Sequence, residues 1–297
     1  MKEKKILILG ANGMIGHKIY QVLSKYHNNV WAHQRSLINI NEKVLFQDQT
    51  KIIHGLDLSD FNKLDDCLNS LMPDIIINAA GITIRRGANE SIYKTLILNS
   101  ALPHFLGSWV KNHNSRLIHF STDCVFSGKD GSYDENSQLD AQDTYGKTKG
   151  YGEIINENSL TLRGSMIGRE LENKTELLEW FLSKKDDKVK GYSNVIYSGI
   201  TTLQMAYFVK DIIHKFPNLT GLYNVASKPI SKYELLILLN KYFNNQCIIL
   251  KDELYISKKN LIAQKFYFTT NFSIPEWENM IIELKKDSDE NYKYYNK

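Results

Sequence analysis

The chain has 297 residues, 42% of them hydrophobic and 24% charged, with 37 basic against 33 acidic side chains and a net charge of +4. That length holds one large α/β domain, or a domain and a half, with ample core, and so small and scattered a positive excess argues against a nucleic-acid partner. Cys67, Cys124 and Cys247 form neither a disulfide framework nor a metal-like spacing, and the short apolar start before Gly10 is no leader or membrane span, so a reducing cytoplasm and no membrane are expected.

Residues Ile6–Leu9 are an uninterrupted apolar run stopped by glycine, the pattern of a strand buried on both faces. Helical spacing over 14–26 puts Ile15, Ile19, Val22 and Leu23 on one face, and 30–32 reads as the next strand. Helices follow at Phe61–Leu71 and 92–112, between apolar strands at 74–81 and Arg116–Ser121 that each end in small or polar residues. Strands alternating with helices predict crossover connections and a doubly wound parallel sheet. Composition shifts after Arg163, with helices at 177–184, 203–215 and 231–243 and one further strand of the main sheet at 221–226. The charged, tyrosine-rich stretch 285–297 reads as a frayed tail. The expected division is a nucleotide-binding and catalytic core over 1–165, with 196–228 returning to it. A smaller C-terminal substrate-binding lobe takes 166–195 and 229–297.

Between the first strand and the first helix lies Gly10-Ala11-Asn12-Gly13-Met14-Ile15-Gly16. Gly10 permits a tight turn, Gly13 close approach of a pyrophosphate, and Gly16 close packing of helix on sheet, as a Rossmann-type dinucleotide site requires. The helix N-terminus then offers free N–H groups to the phosphates, with Asn12, Met14 and Ile15 lining the approach. The spacing is Gly-x-x-Gly-x-x-Gly, and an ordinary βα turn is the plain alternative. The second strand ends in Ala32-His33-Gln34-Arg35-Ser36, without the carboxylate that would favour NADH. Arg35 and Ser36 suit a 2′-phosphate, so NADPH is favoured and NADH is the alternative. Asp57 and Leu58 fall where an adenine amino group would be met, although Asp57 is equally placed to cap the next helix.

Tyr145 and Lys149 stand one helical turn apart, downstream of the strand end Ser121-Thr122-Asp123. A phenol is a poor acid–base group at neutral pH, and a neighbouring ammonium is expected to bring its pKa down. Thr122 would hydrogen-bond the substrate oxygen. The same Tyr-x-x-x-Lys spacing at Tyr255 and Lys259 lacks this context.

The glycine turn, Asn78-Ala79-Ala80-Gly81, Asn99 and the Thr122, Tyr145 and Lys149 set resemble the extended short-chain dehydrogenase/reductase family, from Lys4 to about Ser165. The resemblance implies that Ala79, Ala80 and Gly81 steady the sheet beside the cofactor, that Lys149 holds the nicotinamide ribose, and that Asn99 holds a water beside it. Phe120 to Gly128, Tyr145 to Lys149 and Leu162 to Ser165 look more closely like the dTDP-4-dehydrorhamnose reductase group. That group implies NADPH-dependent reduction of the C4 ketone of a nucleoside-diphosphate 4-keto-6-deoxyhexose, in the synthesis of surface polysaccharide sugars. The stretch 190–202 is similar to a subgroup associated with N-acetylated 6-deoxy-L-sugars, which makes a UDP-linked sugar the alternative to a dTDP-linked one. Cys124 replaces the tyrosine usual in the group and leaves room for an acetamido substituent. Asp123, Cys124, Arg86, Trp180 and Lys190 are the expected substrate contacts, with core packing the plain reading of Trp180 and a solvated loop that of Arg86. A homodimer is compatible with the resemblance. The competing readings are an epimerase or dehydratase of the same superfamily, and a non-catalytic regulatory subunit like that of methionine adenosyltransferase.

Overall fold

The computed structural model describes residues 3–35, 46, 48–83, 90–172 and 174–292. Ser36 and Arg86 lie outside the described residues. Among the described residues, seven strands form one parallel sheet: β1 (Ile6–Leu9), β2 (Val30–Gln34), β3 (Ile52–His54), β4 (Ile75–Asn78), β5 (Arg116–Ser121), β6 (Ser159–Arg163) and β11 (Gly221–Asn224). Their spatial order is β11-β6-β5-β4-β1-β2-β3. The order therefore reverses between β1 and β4, and in such sheets ligands bind in the crevice outside the strand ends at that point.

Alternating side chains of the strands feed two cores. Ile6, Ile8, Ile75, Ile77, Ile118 and Phe120 face α1 (Gly16–Leu23) and α7 (Thr202–Lys215). Leu7, Leu9, Ile76 and Leu117 face α2 (Phe61–Leu71) and α4 (Leu102–Asn112). Every residue of β1, β4 and β5 is buried, as expected of parallel strands covered on both faces. The helical stretch foreseen at 92–112 is α3 (Ile92–Leu96) running through a π segment at Ile97–Ala101 into α4.

The catalytic strand end continues into a 3₁₀ turn (Asp123–Val125) and then α5 (Thr144–Tyr151). Beyond the sheet come β7 (Met166–Ile167), α6 (Leu177–Leu182), β8 (Lys188–Tyr192), β9 (Val195–Tyr197) and β10 (Ile200–Thr201). After β11 follow β12 (Ile230–Ser231), α8 (Lys232–Phe243), β13 (Ile248–Asp252), β14 (Ser257–Lys258), α9 (Gln264–Thr270) and α10 (Trp277–Asn291). β8 pairs with β13, while β9 lies between β12 and β14. α8 starts where the sequence indicates, because Ser231 and Glu234 form a reciprocal capping box.

Two expectations need correction. The first helix begins at Gly16, since residues 10–15 are spent on the turn that precedes it. The stretch after Lys285 does not fray through its described part: α10 runs to Asn291, with Ser288 and Tyr292 buried. Its last turns dock through polar contacts, including a Lys18–Asp287 ion pair of 2.7 Å, which hydrophobic periodicity does not register.

Candidate active site

The turn after β1 is built by steric demand. Gly10 has a φ of +75°, and a Cβ there would stand 2.9 Å from the Ala80 backbone. A Cβ on Gly16 would lie 2.1 Å from the Gly10 carbonyl oxygen, so α1 seats on the strand end only with glycine at that position. Among the described residues, no side chain caps the N-terminus of α1, and no acidic residue occupies its first turn. The His17 and Ile19 N–H groups bond back to the Gly13 and Ile15 carbonyls, and the helix dipole favours an anion ahead of the turn.

Two adjoining pockets form a groove across the strand ends, one on either side of this turn. Toward β2 and β3 it is lined by His33, Arg35, Asp57 and Leu58 together with Gly10 and Asn12. Toward β5 it is lined by Met14, Ile15, Thr122, Cys124, Tyr145 and Lys149. Gly13, Ala79, Ala80, Gly81 and Ile82 border both halves. The expected cofactor residues are thus brought together along a single extended path, apart from Ser36, which is not described, and Gly16, which acts through packing.

At the far end of the first half, Arg35 is exposed and 3.9 Å from Glu90. Asp57 turns inward on its own loop, accepting from the Ser59 backbone at 3.0 Å and the Ser59 hydroxyl at 2.7 Å. Those bonds hold its carboxyl below the ordinary carboxylate range. His33 ties the three strand ends together, with Nε2 2.8 Å from the Leu56 carbonyl oxygen and Nδ1 3.4 Å from the Gly10 nitrogen.

At the catalytic end, α5 starts because Asp143 accepts from the Gly146 N–H at 2.9 Å. Gly146 is the contact point with the 3₁₀ turn, where a Cβ would fall 2.1 Å from the Cys124 carbonyl oxygen. This packing sets Tyr145 beside Thr122. Thr122 Oγ1 lies 3.2 Å from Asp123 Oδ1 and accepts from the Cys124 N–H at 3.1 Å.

Burial pushes the Tyr145 phenol well above its ordinary value, and the neighbouring Thr122 hydroxyl opposes this. The expected lowering by the lysine is not what the fold produces. The Lys149 ammonium donates instead to the Phe120 carbonyl at 2.6 Å, and burial lowers its pKa to about 8 while Glu153 acts in the opposite sense. A phenol held protonated is suited to giving a proton rather than taking one. That is the role a ketone reduction requires.

Asn99 sits in the π segment with its side chain occupied. Its Oδ1 accepts from the Ile82 N–H at 2.8 Å, and its Nδ2 donates to the Ile82 carbonyl at 2.9 Å and to Thr148 Oγ1 at 3.2 Å. It thereby clamps the loop after β4 to the helix that carries Tyr145 and Lys149. A π segment at such a point is a recurrent feature of functional helices.

The expected substrate contacts divide. Cys124 lines the cleft, and burial lifts its thiol to about 12, so it is no thiolate nucleophile at neutral pH. Asp123 is buried beneath Thr122 and is not among the residues lining the cleft. Trp180 packs against the main core. Lys190 is two-thirds exposed and pairs with Asp252 at 3.0 Å, outside the cleft.

Gly164 and Ser165, from the motif at 162–165, also line the cleft, but sequence reasoning missed Thr83, Met166, Glu170 and Glu176 beside them. Thr83 Oγ1 donates to Glu176 Oε1 at 2.9 Å, and Glu170 Oε2 accepts from the backbone N–H groups of Thr175 and Glu176 at 2.7 and 2.6 Å. No motif announces these acids, because a bond spanning 93 residues of sequence brings Glu176 to the site.

Residues 4–190 match the family of the RmlD substrate binding domain. The chain belongs to that family. It is 27% identical to a dTDP-4-dehydrorhamnose reductase of Aggregatibacter actinomycetemcomitans over 243 residues, covering 78% of this chain and 77% of that one. It is 25% identical over 235 residues to the spore coat polysaccharide biosynthesis protein SpsK of Bacillus subtilis, covering 77% and 75%. Its fold matches the crystal structure of a Bacillus anthracis dTDP-4-dehydrorhamnose reductase in complex with NADP, with a TM-score of 0.79, 18% identity and coverage of 96% and 100%.

Proposed function

We propose that this protein is an NADPH-dependent reductase acting on the C4 ketone of a nucleoside-diphosphate 4-keto-6-deoxyhexose. One observation carries the reading: two adjoining pockets that share Gly13 and Ala79 to Ile82 lead from Arg35, past the glycine turn, to Tyr145 and Lys149. The extended path and the N-terminus of α1 fit a dinucleotide. The family relatives named as reductases of such sugars support the substrate class.

When bound, the reduced nicotinamide supplies the hydride. The residues of the chain supply everything else. Thr122 orients the substrate oxygen, and Tyr145 gives that oxygen its hydroxyl proton as the alkoxide forms. Lys149, one helical turn along and lining the same cleft, holds the nicotinamide ribose. Asn99 holds the strand-end loop and α5 in register through these changes. The wall bearing Thr83, Glu176 and Cys124 receives the sugar. Arg35 takes the 2′-phosphate of the cofactor, with a guanidinium matched to a phosphate dianion.

Reduction with NADPH dideuterated at nicotinamide C4, followed by NMR of the product, tests the assignment. Deuterium at sugar C4 is expected, and a product carrying none there would refute the proposed chemistry.

A further inference from the structure

We propose that Tyr292, just past the end of α10, is a positioning residue for the dinucleotide: its hydroxyl holds His17, and His17 holds the Gly13 carbonyl of the glycine turn. The inference rests on the reading of the groove as a dinucleotide site.

Gly13 is where the two halves of the groove meet. Its carbonyl oxygen accepts the backbone N–H of His17 at 3.1 Å and lies 2.7 Å from His17 Nδ1. A carbonyl only accepts, so Nδ1 carries the imidazole proton and Nε2 is left as an acceptor. That acceptor meets the Tyr292 hydroxyl, whose ring stands edge-on to the imidazole at a centroid distance of 5.7 Å. Burial lowers the His17 pKa to about 3, which keeps this neutral tautomer in place throughout the physiological pH range.

The peptide following Gly13 is thus gripped from behind. In a trans peptide the N–H points opposite to the C=O. With the carbonyl drawn down the helix axis toward His17, the Met14 N–H faces the open end of α1, where a pyrophosphate would sit. Tyr292 is itself firmly held. Lys18 Nζ and Arg169 Cζ lie 4.9 and 5.4 Å from its ring centre, Lys18 pairs with Asp287, and Arg169 donates to the Ser288 hydroxyl. The far C-terminal helix is therefore fastened to the turn by a chain of buried contacts that spans 275 residues of sequence.

The test is direct measurement of NADPH affinity, by titration calorimetry or nicotinamide fluorescence, for wild type, Tyr292→Phe, His17→Phe and the double variant. Tyr292→Phe keeps the ring and its cation contacts while removing the hydroxyl. It is expected to weaken NADPH binding by about fivefold, the scale of one buried hydrogen bond, and to raise the KM for NADPH in step, with kcat at saturating NADPH retained. His17→Phe should weaken binding at least as much, and adding Tyr292→Phe to it should cost no more, because the two act through one contact. Unchanged affinity in Tyr292→Phe, or additive losses in the double variant, would overturn the inference while leaving the reductase reading intact. Failure of the wild type itself to bind NADPH would overturn both.

Discussion

Lys149 donates its ammonium to the Phe120 carbonyl oxygen at 2.6 Å, and this is the polar anchor of a cation that is only 7% exposed. Burial depresses its pKa from the ordinary 10.5 to about 8. The sign for stability follows directly. The folded chain binds this proton less readily than the unfolded chain, so the site is destabilising below about pH 8. The penalty is relieved as pH rises from there toward 10.5. Lys149→Met is accordingly expected to be inactive yet more stable than wild type at pH 7, by on the order of 3 kcal/mol at most. Thermal unfolding across pH 6 to 10 checks this, and the gap between the two proteins should narrow at the alkaline end. Reductase activity of the wild type should fall above about pH 8, where the ammonium is lost.

The seat of Tyr145 depends on Gly146. A methyl group at that position would stand 2.1 Å from the Cys124 carbonyl oxygen and 2.5 Å from Ala141 Cβ. Gly146→Ala should cost roughly 1–3 kcal/mol of stability from overpacking. The displacement of the adjacent phenol should lower kcat about a hundredfold. NADPH affinity should change much less than kcat, and a fully active Gly146→Ala would contradict the tight seat.

Cofactor choice is assigned to Arg35, which meets the groove at the end of β2 beside Asp57. Arg35→Ala is expected to reduce kcat/KM for NADPH about tenfold, the value of one charge-assisted contact at an exposed position, while leaving that for NADH nearly unchanged. Equal losses with both cofactors would show that Arg35 does not read the 2′-phosphate.

Cys124 lines the catalytic cleft but is predicted to be chemically quiet, since burial lifts its thiol to about 12. Brief alkylation of the native protein with iodoacetamide at pH 7.5, read by peptide mass spectrometry, should leave Cys124 unmodified, and all three cysteines should react after unfolding. Cys124→Ala should retain kcat within about threefold, as expected of a wall residue rather than a nucleophile. Its KM for the sugar is where an effect should appear.

Much of this arrangement was legible from local rules. The doubly wound parallel sheet followed from apolar runs alternating with helical spacing, and the turn beside the groove from glycines whose Cβ atoms would collide with Ala80 and with the Gly10 carbonyl. Tyr145 and Lys149 were legible because their spacing and position carry the chemistry. The electrostatics were not. A nearby ammonium suggested a lowered phenol pKa, but burial acts on both groups and Lys149 turns to the Phe120 carbonyl. The wall formed by Thr83, Glu170 and Glu176 was also hidden, since isolated acids in a polar stretch have no period. α10 was not read as a helix at all, and its last turns were hidden for a related reason: Asp287, Ser288 and Tyr292 dock through ion pairs and hydroxyls, not through an apolar stripe.

The most direct test of the central claim is NADPH oxidation by the purified protein. The substrates would be UDP- and dTDP-linked 4-keto-6-deoxy sugars generated in place by the matching dehydratases, with Tyr145→Phe run in parallel. The account predicts stoichiometric oxidation with one of these sugars, and at least a hundredfold loss in Tyr145→Phe, within the ~10²–10⁴ range of a lost general acid, with NADPH binding retained. Oxidation that persists undiminished in Tyr145→Phe, or no turnover of any such sugar by a wild-type protein that binds NADPH, would contradict it.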